Sequence, residues 1–116
     1  MEFIALLSTG PGTWGQVAGL INQGDWEKII LIGDNYAKEF SSSKPADFIV
    51  IDTNAPLKEL KEEISKKLKS KISGLEVALS IASGSGKEHM ALISALIDMP
   101  AGIKFTALTK DGIVYF

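Results

Sequence analysis

Two short segments of the sequence are rich in glycine, serine and threonine, which are the residue types that can hold a phosphate group. The first, STGPGTWG, runs from Ser8 to Gly15, and the second, SGSGKEH, runs from Ser83 to His89. Glycines let the backbone approach an anion closely, amide and hydroxyl groups donate to its oxygens, and Lys87 adds a positive charge. Both segments are therefore candidates for binding a nucleotide or another small anion.

The first segment matches the G-x-G-x-x-G pattern of dinucleotide-binding sites through Gly10, Gly12 and Gly15. In that pattern the glycines allow a tight turn, close approach of the pyrophosphate, and close packing of helix on strand. Asp34 stands close to where a ribose-binding acid is expected, but it is equally suited to capping the next helix. A chain of 116 residues also lacks room for a substrate domain. We therefore expect a nucleotide position here, without NAD or another cofactor.

The second segment resembles the end of a P-loop but fails that comparison at two positions. A P-loop requires glycine where Ile81 stands, and serine or threonine where Glu88 follows Lys87. We therefore exclude a P-loop nucleoside triphosphatase. The remaining amides, hydroxyls and lysine at a helix N-terminus still suit an anion. The alternative is an ordinary strand-to-helix turn with a solvated lysine.

Composition narrows the classes of function further. The chain has no cysteine, which excludes disulfides, thiolate catalysis and cysteine-ligated metal centres, and we expect no metal site. Its 12 basic residues are all lysines and the formal net charge is -2, so duplex nucleic acid is not an expected partner. The opening MEFIALLS indicates a core strand rather than a signal peptide. No apolar run is long enough for a bilayer, so we expect a cytoplasmic protein that does not contact membranes.

The pattern of apolar residues predicts an α/β fold in a single domain, residues 1–116. Four unbroken apolar runs, FIALLS, KIILIG, DFIVID and VALSIA, have the length of strands that are buried on both faces. Helical segments are predicted between and after them, at 13–23, 35–46, 56–73 and 88–99. A hairpin around Asp111 and Gly112 ends the sequence, and we expect no further domain after Phe116.

Right-handed crossovers favour a Rossmann-like, doubly wound, mostly parallel sheet with the strand order 3-2-1-4-5. We expect the C-terminal strand to lie antiparallel at the edge of this sheet, and helices on both faces to give a three-layer αβα architecture. The strand order reverses between the first and fourth strands. Ligands of such sheets bind at the carboxyl ends of the strands at this reversal. Both glycine-rich segments follow these two strands, so we expect them to lie side by side at one crevice.

The helix at 88–99 is apolar on nearly all sides, with little polar surface besides Ser94 and Asp98. One face can cover the sheet, and the other needs a second partner. A homodimer interface through this helix is one interpretation. Coverage by loops or by the preceding helix is the other.

This arrangement resembles the CRISPR-associated Rossmann-fold (CARF) ligand-binding domains. Those domains have a small, hydroxyl-bearing loop after the first strand and a glycine- and lysine-containing loop that opens the helix after the fourth. STGPGT and ASGSGKEHMALISAL stand at these positions here, and a strand hairpin follows the second. The resemblance covers essentially the whole chain. We expect it to differ from most members, which carry an attached nuclease or DNA-binding domain and often long insertions over the ligand.

The resemblance implies a homodimer whose paired crevices bind a cyclic oligoadenylate, the messenger of type III CRISPR systems. Some stand-alone members are ring nucleases that cleave this messenger without metal. In such a reaction Lys87 and the loop amides would stabilise the developing negative charge, and Ser8 or Thr9 would orient the attacking 2'-hydroxyl. The residues implied to line the pocket are Ser8, Thr9, Gly10, Gly12, Thr13, Ser83, Gly84, Ser85, Gly86 and Lys87.

Two further side chains have both a ligand-binding and a structural interpretation. His89 could shuttle a proton at the phosphates, or it could cap or pack in the first helical turn. Trp14 could stack on an adenine, or it could pack its own loop against the sheet. A second hypothesis for the whole protein also stands, namely a small Rossmann-like protein that binds a mononucleotide or dinucleotide, or a non-enzymatic interaction module. A two-fold symmetric pocket favours the first hypothesis and an isolated crevice favours the second.

Overall fold

The computed structural model of the protein describes residues 1–8 and 13–116. The described residues form three α-helices, α1 (Trp14–Gln23), α2 (Leu57–Leu68) and α3 (Gly86–Ile97), and a short 3-10 helix over Asn35–Glu39. The strands are β1 (Glu2–Leu7), β2 (Lys28–Gly33), β3 (Asp47–Val50), β4 (Glu76–Ser80), β5 (Gly102–Thr109) and β6 (Gly112–Tyr115). Three of the predicted site residues lie outside the described residues: Thr9, Gly10 and Gly12.

The six strands form one sheet in the order β3-β2-β1-β4-β5-β6. The first five are parallel and β6 runs antiparallel to β5, which confirms the predicted Rossmann-like doubly wound sheet. Gly112 opens β6 at a φ of 103°, a conformation that the Asp-Gly turn requires and that glycine adopts without strain. β1 lies between β2 and β4, and all six of its residues are buried.

Alternation along β1 assigns its side chains to the two faces of the sheet. Ile4 and Leu6 join the core under α2 and α3, whereas Phe3, Ala5 and Leu7 join the core under α1. Helices therefore cover both faces, and the predicted three-layer αβα architecture is confirmed. No helix among the described residues is long and apolar enough to cross a membrane.

Several element boundaries differ from those predicted. The helix expected over 35–46 is only the 3-10 helix Asn35–Glu39, because the serines that follow favour turns and Pro45 cannot donate a backbone hydrogen bond. Asp34 caps this helix, with Oδ1 accepting from Ala37 N at 3.1 Å, so its capping interpretation is the one observed.

The helix expected over 56–73 ends at Leu68, and the one expected over 88–99 is α3, which begins at Gly86 and ends at Ile97. After α2 the chain turns so that the buried carboxylate of Glu2 accepts hydrogen bonds from Ser73 N and Gly74 N, the latter at 2.9 Å. α3 begins earlier than predicted because Ser85 is its N-cap.

Candidate functional site

A hydrogen bond joins the first residues of the two glycine-rich segments, Ser8 and Ser83, near the carboxyl ends of β1 and β4. Ser8 N donates to Ser83 Oγ at 2.8 Å, and Ser83 is only 1% exposed. Ser8 and Ser83 lie side by side because β1 and β4 are parallel neighbours and both strands end at this edge. The structure therefore places Ser8 and Ser83 together at the reversal of the strand order, where the topology predicted them.

Trp14 ties the start of α1 to Ser8, the residue that follows β1. Its Nε1 donates to the carbonyl oxygen of Ser8 at 2.8 Å. Its ring lies 5.9 Å from that of Tyr36 and 5.8 Å from that of Phe40, measured between ring centroids. These contacts are those of the packing interpretation. Stacking of the indole on a ligand base stays a prediction.

The second segment is held by its own side chains. Gly84 has a φ of 105°, in the left-handed region that favours glycine. Ser85 and Glu88 form a capping box, in which Ser85 Oγ accepts from Glu88 N at 3.2 Å and Glu88 Oε1 accepts from Ser85 N at 3.0 Å. Gly86 is the first residue of α3, so its amide lies at the positive end of the helix.

Lys87 and His89 also have partners inside the protein. Lys87 Nζ donates to the carbonyl oxygen of Thr53 at 3.1 Å, which ties the start of α3 to the loop between β3 and α2. His89 Nε2 lies 2.9 Å from the carbonyl oxygen of Ser83. Because a carbonyl oxygen only accepts, this contact requires the hydrogen on Nε2. For Lys87 to reach a ligand in the crevice, its ammonium has to exchange Thr53 for the ligand.

The third glycine of the G-x-G-x-x-G pattern does not perform its usual packing role. A Cβ at Gly15 would meet nothing within 4 Å, whereas a Cβ at Gly19 would clash with Leu108 Cδ2. The close approach of α1 to the sheet therefore occurs one turn later, against β5. Gln16 strengthens it, because its side-chain amide both donates to Leu108 O and accepts from Leu108 N. This difference weakens the dinucleotide interpretation further.

A depression of about 710 Å³ adjoins the first segment and extends along the hairpin of β5 and β6. β5 pairs with β4 only through Phe105 and then continues to Thr109, so its last residues form a wall beside the crevice. The sequence does not predict this wall, since the Asp-Gly turn shows where the hairpin ends but not how far it extends past β4. The lining residues are Thr13, Gln16, Leu79, Ile81, Ala82, Phe105, Thr106, Ala107 and Phe116.

The outer surface of α3 is partly covered by α2 and partly open. Ala91, Leu92, Ala95 and Leu96 are buried in the core that α2 and α3 share. Met90 is 57% exposed and Ile97 is 68% exposed, one on each side of the half-buried Ser94. Coverage by the preceding helix thus accounts for one side of α3, and an apolar strip stays open to solvent.

Two buried serines offer a matched test of the bond that joins the segments. Ser83→Ala leaves Ser8 N without its acceptor, so we expect the free energy of unfolding to fall by about 1–3 kcal/mol. Ser80 Oγ is also buried but has no hydrogen-bond partner among the described residues, so Ser80→Ala should be neutral or stabilising. Urea unfolding of both variants checks this. Equal losses would show that Ser83 Oγ contributes nothing specific.

The described residues contain no group of three or more histidine, aspartate or glutamate side chains placed to hold a metal ion. Comparison with protein-family models gives no match for the chain, and a search of curated proteins gives none either. The fold class therefore stands on the structure itself.

Proposed function

We propose that this protein is a CARF-like domain that binds a cyclic oligoadenylate in the crevice between β1 and β4. The observation that carries the proposal is the bond from Ser8 N to Ser83 Oγ at 2.8 Å. It joins the first residues of two segments whose sequences are both rich in glycine and hydroxyl residues, at the position where doubly wound sheets bind ligands. The resemblance of both segments to CARF loops supplies the ligand class.

Three features of the crevice support a nucleotide as the ligand. The positive ends of α1 and α3 both lie at this edge of the sheet, because both helices directly follow strands that end there. Lys87 supplies an ammonium group at the start of α3. The adjoining depression of about 710 Å³ has the size of small-molecule sites, and its phenylalanines suit an adenine.

The proposal includes a homodimer formed through α3. A parallel pairing of α3 with its copy, about a two-fold axis that runs along the helices, sets Met90 against the partner subunit's Met90 and Ile97 against the partner subunit's Ile97. Both side chains are more than half exposed, and this pairing would bury them. A two-fold axis parallel to α3 would bring the two copies of the second segment, which leads into the start of α3, to the same end of the dimer. The proposal also keeps the cytoplasmic location expected from the sequence.

Cleavage of the ring is the enzymatic extension of the proposal. The 2'-oxygen of one ribose bonds to the adjacent phosphorus, the bond from phosphorus to the 5'-oxygen breaks, and the proton of the 2'-hydroxyl passes to that 5'-oxygen. Lys87 and the amides of the second segment would stabilise the charge on the phosphorane, and Ser8 or Thr9 would orient the attacking hydroxyl. No metal enters this step.

The deciding experiment incubates the purified protein with cyclic tetra-adenylate and cyclic hexa-adenylate, with and without chelator. Thermal shift and calorimetric titration measure binding, and chromatography follows product formation. We expect a shift with one ring, a stoichiometry of one ring per two chains, and no effect of the chelator. Linear oligoadenylates of matched length are the control ligands. No shift with either ring contradicts the proposal, and one AMP or NAD per monomeric chain supports the small Rossmann-like alternative.

A further inference from the structure

The strand β6 forms one edge of the sheet and leaves its outer side open. Within the described part of the chain, β5 is the only strand that pairs with β6. Phe116 N donates to Phe105 O at 2.8 Å, so these two residues form a hydrogen-bonded pair. Hydrogen-bonded and non-hydrogen-bonded pairs alternate along an antiparallel ladder. The backbone groups of Val114 therefore face β5, whereas those of Ile113 and Tyr115 face away from the sheet.

The inner side of the same hairpin is closed by a side chain. β5 has no partner in β4 beyond Phe105, and the side-chain amide of Gln16 takes the place of a strand there. It donates to Leu108 O at 3.2 Å and accepts from Leu108 N. No group among the described residues does the same for the outward-facing backbone of Ile113 or Tyr115. The open backbone positions of the hairpin thus lie on the outer side of β6.

The open edge also lacks the features that protect edge strands from pairing. Such strands are commonly guarded by charged side chains or by proline. The segment GIVYF, residues 112–116, contains neither, and Tyr115 is 44% exposed and Phe116 76%. At the opposite edge of the sheet, β3 begins at the charged Asp47, two residues after Pro45. Of the two edges, β6 is therefore the one that a further strand can join.

We propose that β6 pairs with β6 of a second copy of this chain, so that the two sheets continue into each other. An antiparallel pairing about a two-fold axis at Val114 places Ile113 opposite the partner subunit's Tyr115, and Tyr115 opposite the partner subunit's Ile113. Each of these pairs exchanges two backbone hydrogen bonds, so four bonds satisfy every outward-facing group of both strands. A shift by one pair in either direction leaves half of these groups without a partner in β6.

The side chains match in the same register, which favours a second copy as the occupant. Ile113 and Tyr115 project from the same face of the sheet, so each aromatic ring meets a β-branched side chain, and such cross-strand pairs are stabilising. Phe116 lies opposite the partner subunit's Gly112, where its ring can cover the exposed glycine backbone. Because residues 112–116 carry no charge, no like charges meet across the axis.

This interface is separate from the proposed pairing of α3. The antiparallel arrangement of β6 points the two crevices in opposite directions, so it does not form a shared pocket. The inference therefore depends neither on a nucleotide ligand nor on the α3 homodimer. Two strands of four residues bury less surface than a standard interface of about 1,600 Å², so we expect weak association that rises with protein concentration.

Val114→Cys tests the register directly, because the chain has no other cysteine. The two thiols would meet at the two-fold axis in a non-hydrogen-bonded pair, whose Cα atoms lie about 4.5 Å apart, within disulfide range. In Tyr115→Cys the two cysteines are offset by two positions, beyond that range. We expect Val114→Cys to form the disulfide-linked dimer roughly tenfold faster than Tyr115→Cys. Non-reducing electrophoresis during mild oxidation, at equal protein concentrations, measures both rates.

Charged variants test the pairing in solution without a covalent bond. Val114→Lys and Val114→Glu each bring like charges together at the axis, and each should weaken self-association by about tenfold or more, whereas an equimolar mixture should associate again. Val114→Thr keeps the branched shape without charge and should behave as the wild type. Sedimentation measures association, and circular dichroism checks the fold of every variant.

Two results would overturn the inference. One is equal cross-linking of Val114→Cys and Tyr115→Cys. The other is association that is the same in the wild type, the charged variants and their mixture, as pairing through α3 alone would give. Either result would assign the open edge of β6 to a strand of another protein or to no partner.

Discussion

Replacing Gly33 by alanine is expected to lower the free energy of unfolding by about 3 kcal/mol, the largest effect on stability that we expect from a single methyl group in this chain. Gly33 is the last residue of β2, and a Cβ there would lie 2.5 Å from Leu7 O and 2.6 Å from Ala37 Cβ. The first of these is a backbone atom of the central strand, so it cannot swing away as a side chain could. The clash between the added methyl group and Leu7 O can be relieved only if β1 and β2 separate at their carboxyl ends.

The strain would reach the candidate site directly, because Leu7 precedes Ser8 in the chain. We therefore expect Gly33→Ala to weaken the bond from Ser8 N to Ser83 Oγ as well as the sheet. Thermal unfolding measures the first effect, as a fall in Tm of roughly 10–15 °C. The NMR signal of the Ser8 amide reports the second.

Gly15→Ala is the matched control, with an identical change in a glycine that has nothing within 4 Å of its Cβ position. Alanine there should raise the free energy of unfolding by up to about 1 kcal/mol, because it favours the helix and restricts the unfolded chain. A loss of stability at Gly15 would contradict our conclusion that the third glycine of the pattern has no packing role. A neutral Gly33→Ala would contradict the close approach of β1 and β2.

The order of the strands followed from the sequence because each step had a physical reason. Unbroken apolar runs required strands covered on both faces, crossovers between parallel strands are right-handed, and Asp111 with Gly112 required a turn. These rules act over the whole chain and tolerate errors at individual residues. The predicted proximity of Ser8 and Ser83 depended only on that order, and the hydrogen bond between them is observed.

Contacts of individual side chains did not follow in the same way. The pattern G-x-G-x-x-G records where glycine stands but not what its missing side chain would touch, so it could not distinguish Gly15 from Gly19. Likewise, the capping box of Ser85 and Glu88 is formed by residues three apart, but the same stretch also resembles the end of a P-loop, in which the lysine is the characteristic residue. The reach of Lys87 to Thr53 depends on the loop between β3 and α2, which no local pattern specifies.

In the proposed ring cleavage, Lys87→Ala is expected to reduce the rate by roughly 30-fold or more, since it removes a charge that would stabilise the transition state. In the structure Lys87 Nζ donates to Thr53 O at 3.1 Å, and this hydrogen bond ties Lys87 to the loop between β3 and α2. The ammonium group can serve the ligand only by exchanging this carbonyl for a phosphate oxygen. A single-turnover assay with cyclic tetra-adenylate in the presence of chelator measures the loss.

The control variant is Lys66→Ala, which removes the same charge from the exposed surface of α2 and should leave cleavage unchanged. Lys87→Arg separates charge from geometry: arginine keeps the charge but presents a planar fork, so partial activity indicates that position matters as well as charge. Full activity of Lys87→Ala would remove Lys87 from the reaction and leave it as the residue that ties α3 to Thr53. In that case only stability should change, by no more than about 1 kcal/mol for a half-exposed contact to a neutral carbonyl.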